Sequence, residues 1–560
     1  MDFNRRALLS GGVGAAALAA TSDAGAAVRR VGGSRAHARA MTTLERYVEQ
    51  HRTDWGIPGM TVCVVTRDGF TGFITAGYAN KETREPVGPN HLFQVGSISK
   101  VFTALTLWSM AQEGRISTQT LMSDLMPEAP IANGRDITLQ HLLNHTSGLP
   151  ADPPLFPEGG LWSGYAPGSH WSYSNVGYQM AGLTAARRDE RLLHEAIEQR
   201  VLRPLGMNNS TGGIFTSDRA RYAQGYETLL SDRAQIRPGE MRPSPWVDSD
   251  SGAGCVSATA SDMALFLRFL LDLGQGRGGA VFSDATAAAF LANPADAPGW
   301  AEGAKYGNGL ARVRINERDY LHHTGGMVSF CSSMHVDVAA GVAAFASTNV
   351  HYGLGYRPRG VTILACELMR MIQDGGPEPT PAPTRAVLPD VQPFVGVYTA
   401  ASGESFELRA NGDSIVMRYN GRDSETQPVA PIAFACNEPR FSQPGLIFDI
   451  EDDKIVRAWV DDEEFVRDVS KGYLPPAPPE LRAFAGMYVN DDRWGGNISV
   501  VARKGGLWLG NFTQLTRLPD GSWRAGEEDW SPERARFDGM VDGHATRLLL
   551  SGAPYVRRFS

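Results

Sequence analysis

At 560 residues the chain is too long for one ordinary hydrophobic core, and its length predicts two to four domains. Its 42% of hydrophobic and 20% of charged residues are typical of a folded globular protein, which excludes general disorder. A formal net charge of -8, without any long run of lysine or arginine, argues against nucleic acid as a partner.

The N-terminal segment has the pattern of a bacterial export signal. Arg5 and Arg6 precede a short, glycine-rich apolar run, and Ala24-Gly25-Ala26 has the small residues of a cleavage site. The run is too short to span a bilayer, and no later segment of the sequence predicts a span. We therefore predict a twin-arginine signal over residues 1–26 and a mature protein that is periplasmic or secreted. The alternative interpretation is a frayed tail.

Residues 27–374 have the mixed pattern of an α/β domain. Two β-rich runs surround an Asp68-Gly69 turn in the stretch MTVCVVTRDGFTGFITAGYAN, helical segments fill the middle, and a β-rich segment returns in AAGVAAFASTN. This order predicts an antiparallel sheet together with helices.

Within this domain the stretch HLFQVGSISKVFTALTLWSM predicts a helix that is buried on most faces and ends at Gly114. Ser97 and Lys100 lie one turn apart at its start and share a face. Burial there lowers the pKa of a lysine, and only a pKa near 7 leaves a useful fraction of neutral amine at neutral pH. An S-x-x-K pair alone is weak evidence, because this spacing recurs by chance in long chains.

Further motifs follow in a fixed order. They are LLNHTSGLP (Leu142–Pro150), Tyr173-Ser174-Asn175, and His323-Thr324-Gly325-Gly326. With Ser97 and Lys100, these motifs resemble the penicillin-recognising serine hydrolases, which include class C β-lactamases, DD-peptidases, D-aminopeptidases and related esterases. The resemblance covers most of residues 40–370 and implies a β-lactamase-like fold, in which helices flank an antiparallel sheet and form a helical subdomain.

The resemblance also implies roles for three side chains. Ser97 is the nucleophile, and Lys100 and Tyr173 share the transfer of its proton. If Lys100 stays protonated, Tyr173 as a phenolate takes the proton, and otherwise the amine does. The sequence leaves both possibilities open.

The same resemblance assigns the substrate-binding groups. Asn175 holds a substrate amide, and the backbone N–H groups of Ser97 and Gly326 form the oxyanion hole. Gly325 and Gly326 allow the strand to approach the substrate closely. His323 joins the catalytic set at a position where β-lactamases and many DD-peptidases have lysine, and D-aminopeptidases are similar in having histidine. The exchange removes a permanent cation.

No metal or cofactor is predicted. His141 and His145 have i, i+4 spacing, but the sequence contains no HExxH and no obvious third ligand, which favours a structural role. The cysteines form no CxxC pair, which favours buried small side chains over a zinc site or a disulfide framework. They are Cys63, Cys255, Cys331, Cys366 and Cys436.

The C-terminal part predicts two small antiparallel β-barrel-like domains, at 391–470 and 481–560. Proline-rich linkers at 375–390 and 471–480 precede them. Seven residues recur at an offset of 90, with chance similarity of short β segments as the alternative. The pairs are Phe394/Phe484, Gly396/Gly486, Tyr398/Tyr488, Phe465/Tyr555, Val466/Val556, Arg467/Arg557 and Ser470/Ser560. SFELRANGDSIVMRY and NISVVARKGGLWLGNF each predict a β-hairpin.

The combined pattern predicts a serine hydrolase that forms an acyl-enzyme with a small peptide, amide or ester. We favour a peptidase for short peptides with D-residues or unusual linkages. The alternatives are a carboxylesterase, a DD-carboxypeptidase or weak β-lactamase, and a non-catalytic scaffold.

In the D-aminopeptidases a loop of the third domain enters the cleft. Gly526–Glu533 corresponds to it here, and Glu527, Glu528 and Asp529 are predicted to capture a substrate's α-amino group, or else to face water. Oligomeric state is not predicted.

Overall fold

The computed structural model describes residues 25–229, 241–351, 356–385, 387–442, 445–510 and 512–558. The predicted export signal lies outside the described residues except for Gly25 and Ala26, and so does Ser560 of the last repeat pair. The predicted start of the mature chain, Ala27, is the first residue of the first strand.

One antiparallel sheet forms the centre of the N-terminal domain. The strands of this region are β1 (Ala27–Val31), β2 (Gly59–Thr66), β3 (Thr71–Asn80), β4 (Glu85–Pro86), β5 (Phe93–Gln94), β6 (Ile131–Ala132), β7 (Leu161–Trp162), β8 (Tyr226–Thr228), β9 (Met241–Pro243), β10 (Ser257–Ala258), β11 (Ala295–Asp296), β12 (Lys305–Gly307), β13 (Leu310–Ile315), β14 (Arg318–Met327), β15 (Phe330–Asp337) and β16 (Val342–Thr348). Ten of them form the sheet in the order β1-β3-β2-β16-β15-β14-β13-β12-β11, with β4 paired to β3. The pairs β5/β10, β6/β7 and β8/β9 are separate.

Helices cover both faces of this sheet. They are α1 (Arg35–Trp55), α2 (Ser99–Gln112), α3 (Met122–Leu125), α4 (Leu139–Leu143), α5 (Asn175–Asp189), α6 (Leu193–Ile197), α7 (Ala260–Leu273), α8 (Asp284–Leu291) and α9 (Arg359–Asp374). Helices α1 and α9 pack on one face and α7 on the other, while α2, α4, α5, α6 and α8 pack among themselves. Shorter helical turns are Gly96–Ile98, Glu198–Leu202 and Thr216–Arg221.

Strand alternation explains the two cores of the domain. In β2, Val62 and Val64 point into the core beneath α1 and α9, whereas Cys63 and Val65 point into the core shared with α2 and α7. Successive side chains of a strand alternate between faces, so a central strand with helices on both sides is apolar throughout. The continuous apolar run in β2 is therefore explained by helices that cover both faces of the sheet.

Two closed eight-stranded barrels follow. The first contains β17 (Gly396–Ala400), β18 (Ser405–Asn411), β19 (Ser414–Tyr419), β20 (Arg422–Ala430), β21 (Ala433–Cys436), β22 (Leu446–Glu451), β23 (Lys454–Val460) and β24 (Glu463–Val466). After the short helix α10 (Pro479–Arg482), the second contains β25 (Gly486–Val489), β26 (Asn497–Arg503), β27 (Gly506–Leu509), β28 (Thr513–Arg517), β29 (Trp523–Ala525), β30 (Arg534–Val541), β31 (His544–Leu550) and β32 (Ala553–Arg558). Both predicted hairpins, β18–β19 and β26–β27, are confirmed.

The sequence repeat has a matching repeat of contacts. The hydroxyl groups of Tyr398 and Tyr488 donate to the carbonyl oxygens of Phe394 and Phe484, each over 2.8 Å. The glycine two residues before each tyrosine has a φ of 151° or 150°. A Cβ atom on either glycine would lie 2.9 Å from Nε of the repeated arginine, which is Arg467 in the first barrel and Arg557 in the second. Both glycines are therefore required by the same close packing of an arginine.

The fold class predicted from the sequence, an α/β domain with two barrel-like domains behind it, is confirmed. The residue limits given above for the linkers and domains stay predictions. Among the described residues, no helix is long and apolar enough to cross a membrane. The five cysteines are buried, as their scattered positions predict.

Candidate active site

Ser97 lies in a short helical turn directly before α2. The turn spans Gly96–Ile98 and the helix begins at Ser99, so Ser97 lies two residues before the first residue of the helix rather than within its first turn. Apolar residues surround α2 on nearly all sides, which leaves Lys100 with no exposed surface. The helix ends at Gln112, and Gly114 follows in the left-handed region with a φ of 72°.

The amino group of Lys100 has three polar neighbours within hydrogen-bond distance. Its Nζ lies 3.0 Å from Oγ of Ser97, 2.6 Å from Oδ1 of Asn175 and 2.9 Å from the carbonyl oxygen of Ala253. The last two atoms can only accept hydrogen bonds, and together they use both N–H groups of a neutral amine. The nitrogen lone pair is then free to accept the hydroxyl proton of Ser97.

Burial shifts the pKa values of Lys100 and Tyr173 in opposite directions. It lowers the pKa of Lys100 to about 7, against a smaller opposing effect of the Asp152 charge. Burial raises the pKa of Tyr173, and the hydroxyl of Ser97 opposes this only in part. At neutral pH the lysine is therefore partly an unprotonated amine and the tyrosine is a neutral phenol. The phenol ring is close to the amine, with Nζ 4.8 Å from the ring centroid.

Asn175 opens helix α5 and connects the lysine with a carboxylate. Ser174 caps the helix, because its Oγ accepts a hydrogen bond of 3.1 Å from the N–H of Gly177. The side-chain amide Nδ2 of Asn175 donates to Oδ1 of Asp152 over 2.6 Å, which turns the amide oxygen toward Lys100. Asp152 itself is exposed.

His145 fixes Tyr173 from three directions. Its carbonyl oxygen accepts from the N–H of Ser172 over 2.9 Å, and its Nδ1 accepts from the N–H of Ser174 over 3.1 Å. The imidazole ring lies 4.2 Å from the Tyr173 ring between centroids. Burial holds the pKa of His145 well below its usual range, so the ring stays neutral. The structural role favoured from the sequence is consistent with these contacts.

We expect His145→Ala to lower kcat about a hundredfold with a smaller change in KM, because Tyr173 loses its backbone and ring supports. The variant also loses about 2–4 kcal/mol of unfolding free energy through the cavity and the lost acceptor. His145→Asn is the matched control, because asparagine offers an acceptor and tolerates the φ of 60° found at this position. Thermal melts and steady-state kinetics measure both variants. Equal kcat values for the two variants would contradict the positioning role.

The strand β14 approaches Ser97 closely through its glycines. A Cβ atom on Gly325 would lie 1.9 Å from the carbonyl oxygen of Val95, and one on Gly96 would lie 2.6 Å from the nitrogen of Gly326. Side chains at these positions are sterically impossible without movement of the strand. The backbone N–H of Gly326 is thereby held beside the turn that carries Ser97.

His323 is buried and locked as a neutral ring. Its Nδ1 donates to the carbonyl oxygen of Thr324 over 2.6 Å, so its Nε2 accepts from the hydroxyl of Tyr306 at 2.9 Å. Burial and the nearby Lys100 charge hold the pKa of His323 well below its usual range. Its ring centroid lies 6.4 Å from that of Tyr173. His323 therefore lines the site without supplying the cation that lysine would.

Four site groups were not singled out from the sequence. They are Asp152, the carbonyl of Ala253, Tyr306 and Arg357, whose charge lowers the pKa of Tyr173. A signal for Asp152 was available, because an acid two residues after Pro150 follows the LLNHTSGLP motif directly. The other three groups lie more than 75 residues from Ser97 in the sequence, and the carbonyl of Ala253 is a backbone group that any residue type would supply.

The second barrel contacts the N-terminal domain next to this site. Pro532 accepts through its carbonyl from Nε1 of Trp162 over 2.9 Å, and Oε1 of Glu533 accepts from the N–H of Ala151 over 2.6 Å. The ring of Trp530 stacks on His170 with 4.5 Å between centroids. The loop singled out from the sequence therefore docks beside Asp152. Its acidic residues 527–529 are exposed, and Glu533 makes the contact.

No metal site is present in the part of the chain that the structure describes, where no three potential ligands cluster. Nδ1 of His141 accepts from the N–H of Thr138 over 3.1 Å, which completes the cap of α4. His145 is used beside Tyr173. The two histidines therefore serve the local fold.

Comparison with known proteins identifies the family of the N-terminal domain. A family model described as Beta-lactamase matches residues 44–366, more than half of the chain. The β-lactamase of Escherichia coli K12 is 28% identical over 236 residues, which cover 40% of this chain and 59% of that protein. Penicillin-binding protein 4 of Amycolatopsis lactamdurans is 26% identical over 380 residues, covering 63% and 96%. The chain spans 47% to 62% of the length of the β-lactamases from E. coli, Yersinia enterocolitica and Lysobacter lactamgenus.

Solved structures share the fold at low identity. The octameric penicillin-binding protein homologue from Pyrococcus abyssi has a TM-score of 0.54 and 20% identity, covering 76% of this chain and 99% of that one. A β-lactamase/D-alanine carboxypeptidase from Pseudomonas syringae has a TM-score of 0.50 and 20% identity, covering 60% and 100%. The matched family model, together with the site around Ser97, shows that the chain belongs to the beta-lactamase family of serine hydrolases.

Proposed function

We propose that this protein is a serine peptidase that forms an acyl-enzyme on Ser97 and acts on short peptides with a free amino terminus. The observation that carries the catalytic part is the environment of Lys100, whose amine has two acceptors for its N–H groups and the hydroxyl of Ser97 for its lone pair. Such an amine is a general base next to its nucleophile. A non-catalytic scaffold has no need for a buried lysine whose pKa is lowered to about 7.

In the proposed acylation, Oγ of Ser97 attacks the scissile carbonyl carbon while its proton moves to Nζ of Lys100. The negative charge that develops on the carbonyl oxygen is stabilised by the backbone N–H groups of Ser97 and Gly326. The C–N bond then breaks, and the leaving amine takes a proton from the phenol of Tyr173, which Lys100 reprotonates. This order uses both proton carriers in the states that their pKa shifts favour.

Deacylation runs through the same groups in reverse. A water molecule gives a proton to the now neutral Lys100 and attacks the ester carbon, and the Oγ–C bond breaks with return of a proton to Ser97. Each cycle consumes one water and one amide bond and releases an amine and a carboxylic acid. No metal or cofactor is required by this scheme.

Support for a substrate with a free amino group comes from Asp152. Its carboxylate is exposed, contacts Asn175 at 2.6 Å and acts electrostatically on Lys100. An ammonium group on the acyl residue of a substrate is attracted to this position. The docked loop Gly526–Glu533 limits how far a substrate extends beyond Asp152. The preference for D-residues rests on the resemblance to D-aminopeptidases.

A matched substrate panel tests the proposal. It consists of D- and L-alanyl p-nitroanilides, their N-acetylated forms, the corresponding p-nitrophenyl esters and a chromogenic cephalosporin. We expect the free D-alanyl anilide to be turned over at least tenfold faster, in kcat/KM, than its N-acetylated form. Turnover of esters alone would assign a carboxylesterase, and efficient hydrolysis of the cephalosporin would assign a β-lactamase. If the protein turned over none of these substrates and were not labelled by a fluorophosphonate, the interpretation as a non-catalytic scaffold would be correct.

We expect Asp152→Asn to reduce the preference for free over N-acetylated substrate about tenfold, because the carboxylate that attracts the ammonium is lost. The matched control is the triple variant Glu527→Gln, Glu528→Gln and Asp529→Asn in the docked loop. Its preference should stay within about twofold of the parent, since these side chains face solvent. If only the triple variant lost the preference for free over N-acetylated substrate, the acidic residues of the loop would bind the ammonium group, as the sequence analysis predicts.

We further propose export by the twin-arginine route, on the basis of Arg5, Arg6 and the apolar run that follows. A fusion of residues 1–30 to a reporter that is active only after folded export tests this. Export should fail when both arginines are replaced by lysine. Export that is unaffected by the double replacement would contradict the proposed route.

A further inference from the structure

A carboxylate of the second barrel bonds to the backbone of the N-terminal domain. Glu533 directly precedes β30 and is half-buried. Its Oε1 accepts from the N–H of Ala151 over 2.6 Å, and its Oε2 accepts from the hydroxyl of Ser551. Ser551 lies in the turn between β31 and β32, and its Oγ also accepts from the N–H of Arg534 over 3.2 Å. The second barrel therefore fixes the orientation of this carboxylate.

Ala151 is bonded on its other side to the first residue of α5. Its carbonyl oxygen accepts from the N–H of Asn175 over 2.7 Å. The N–H groups in the first turn of a helix have no partners within the helix, so this acceptor helps to fix where α5 begins. The carbonyl oxygen of Pro150 adds a second bond, which it accepts from the hydroxyl of Ser174 over 2.7 Å. The two backbone groups of Ala151 thus join the second barrel to the start of α5.

The side chain of Asn175 continues these contacts to the amine. Its Oδ1 accepts from Nζ of Lys100 over 2.6 Å, and its Nδ2 donates to Oδ1 of Asp152 over 2.6 Å. Asp152 directly follows Ala151, so one short segment holds both the backbone and the side chain of Asn175. Catalytic groups have to be held within about 0.5 Å of their productive geometry. A shift of this segment would therefore displace the acceptor that orients the amine.

The segment lies outside regular secondary structure. Residues 151–160 contain no helix or strand. Further contacts of this loop also lead to the second barrel. Glu158 pairs with Arg547 over 2.5 Å, and a Cβ atom on Gly552 would lie 2.5 Å from Cβ of Pro157. A loop of this kind depends on such contacts for its position. Among them, the bond from Glu533 reaches the residue that is bonded to Asn175.

Opposing influences act on the charge of Glu533. Burial raises the pKa of its carboxyl, whereas the hydroxyl of Ser551 and the N–H of Ala151 lower it. The Asp152 charge adds to the effect of burial, and the Arg534 charge opposes it. The two hydrogen-bond donors favour the ionised form, and a bond to a carboxylate is roughly twice as strong as one between neutral groups. The bond to Ala151 is therefore strongest while the carboxyl is ionised.

We propose that Glu533 is a positioning residue of the active site. It holds Ala151, and Ala151 fixes the amide of Asn175. That amide in turn orients the amine of Lys100 toward Ser97. The inference rests on the proposed function in that it takes Lys100 as the base. It gives the second barrel a part in activating the nucleophile, which is separate from limiting the length of the substrate.

The rate of labelling by a fluorophosphonate tests this role, because it measures the activation of Ser97 independently of the natural substrate. All variants are made in the full-length chain. We expect Glu533→Met, which is similar in size but has no carboxylate, to lower the labelling rate about tenfold or more. With a p-nitrophenyl ester, kcat should fall equally while KM stays within about threefold. Glu533→Gln should restore the rate to within about threefold, because its amide oxygen still accepts from Ala151.

Arg547→Gln is the matched control. It removes a contact between the same barrel and the same loop, but one that does not lead to Asn175. Its labelling rate should stay within about twofold of the parent rate, since exposed ion pairs contribute little. A double-mutant cycle tests the route of the effect. When Asn175→Ala is already present, adding Glu533→Met should lower the rate less than about twofold, because both changes break the same series of contacts.

Three outcomes would overturn the proposal. They are a labelling rate of Glu533→Met within about threefold of the parent, an equal loss in Arg547→Gln, and the full loss in the Asn175→Ala background. Thermal melts identify a variant that fails to fold. In that case Ser551→Ala decides, because it frees one oxygen of the carboxylate and should lower the rate about threefold or more. If labelling behaves as expected but no peptide is cleaved, the proposed peptidase function fails and the positioning role stands.

Discussion

Ser97→Ala should abolish turnover of every substrate and all covalent labelling, with kcat/KM reduced by about 10⁴-fold or more. The hydroxyl oxygen of Ser97 is the only atom that forms and breaks the acyl bond in the proposed mechanism, and residual rates then come from binding alone. The melting temperature should change by less than about 2 °C, because one half-buried hydroxyl is lost from a short turn.

Intact-mass spectrometry after reaction with a fluorophosphonate provides the measurement. The parent chain should gain one adduct and the variant none. Ser99→Ala is a suitable control, because Ser99 is also a serine of this stretch, but its Oγ accepts from the N–H of Val256 over 2.9 Å and is fully buried. This control should still be labelled. An adduct on Ser97→Ala would show that a different residue is the nucleophile.

The pH dependence of acylation should reflect the titration of Lys100. With a pKa of about 7, the neutral amine is about half of the total at pH 7 and about 1% of it at pH 5. For an uncharged ester substrate, kcat/KM should therefore rise tenfold per pH unit below 7 and level off above it. If the Tyr173 phenolate were the base, the rise would continue far into the alkaline range, since the pKa of this phenol is raised.

Substitutions distinguish the two proton carriers. Lys100→Met should lower kcat at least 10³-fold and remove the rise near pH 7, whereas Tyr173→Phe should lower kcat while keeping the rise. Lys305→Met is a matched control, because Lys305 is exposed and its Nζ pairs with Asp296 at the far edge of the sheet. A near-parental kcat in Lys100→Met would make the lysine structural.

The sequence was sufficient for features that depend on local spacing. Ser97 and Lys100 are three residues apart, so any helical turn places them on one side. The duplicated barrels could be recognised from the sequence because each barrel has the same tyrosine, glycine and arginine in close contact. This packing tolerates few other residues, so the same residue types recur at the same positions of both barrels. The alternation of apolar residues likewise predicted the hairpins, since side chains on a strand change face at every step.

Tertiary structure decided the charge states in the site. The sequence left the choice between Lys100 and Tyr173 open, because a lysine pKa depends on burial and on the partners that the fold supplies. One of these partners is the carbonyl oxygen of Ala253, a backbone atom that no side-chain pattern reveals. The neutral form of His323 likewise depends on burial by surrounding segments, and the hydroxyl of Tyr306, from another strand, donates to its ring.

Tertiary structure alone also brought together the charges that we relate to specificity. The sequence directed attention to the acidic residues of the loop Gly526–Glu533, whereas Asp152 is the carboxylate that contacts Asn175. The sequence by itself therefore determined which chemical groups are available, because motif residues repeat at fixed local spacings. Their protonation states and counter-charges were decided by contacts between distant segments, which depend on packing rather than on spacing.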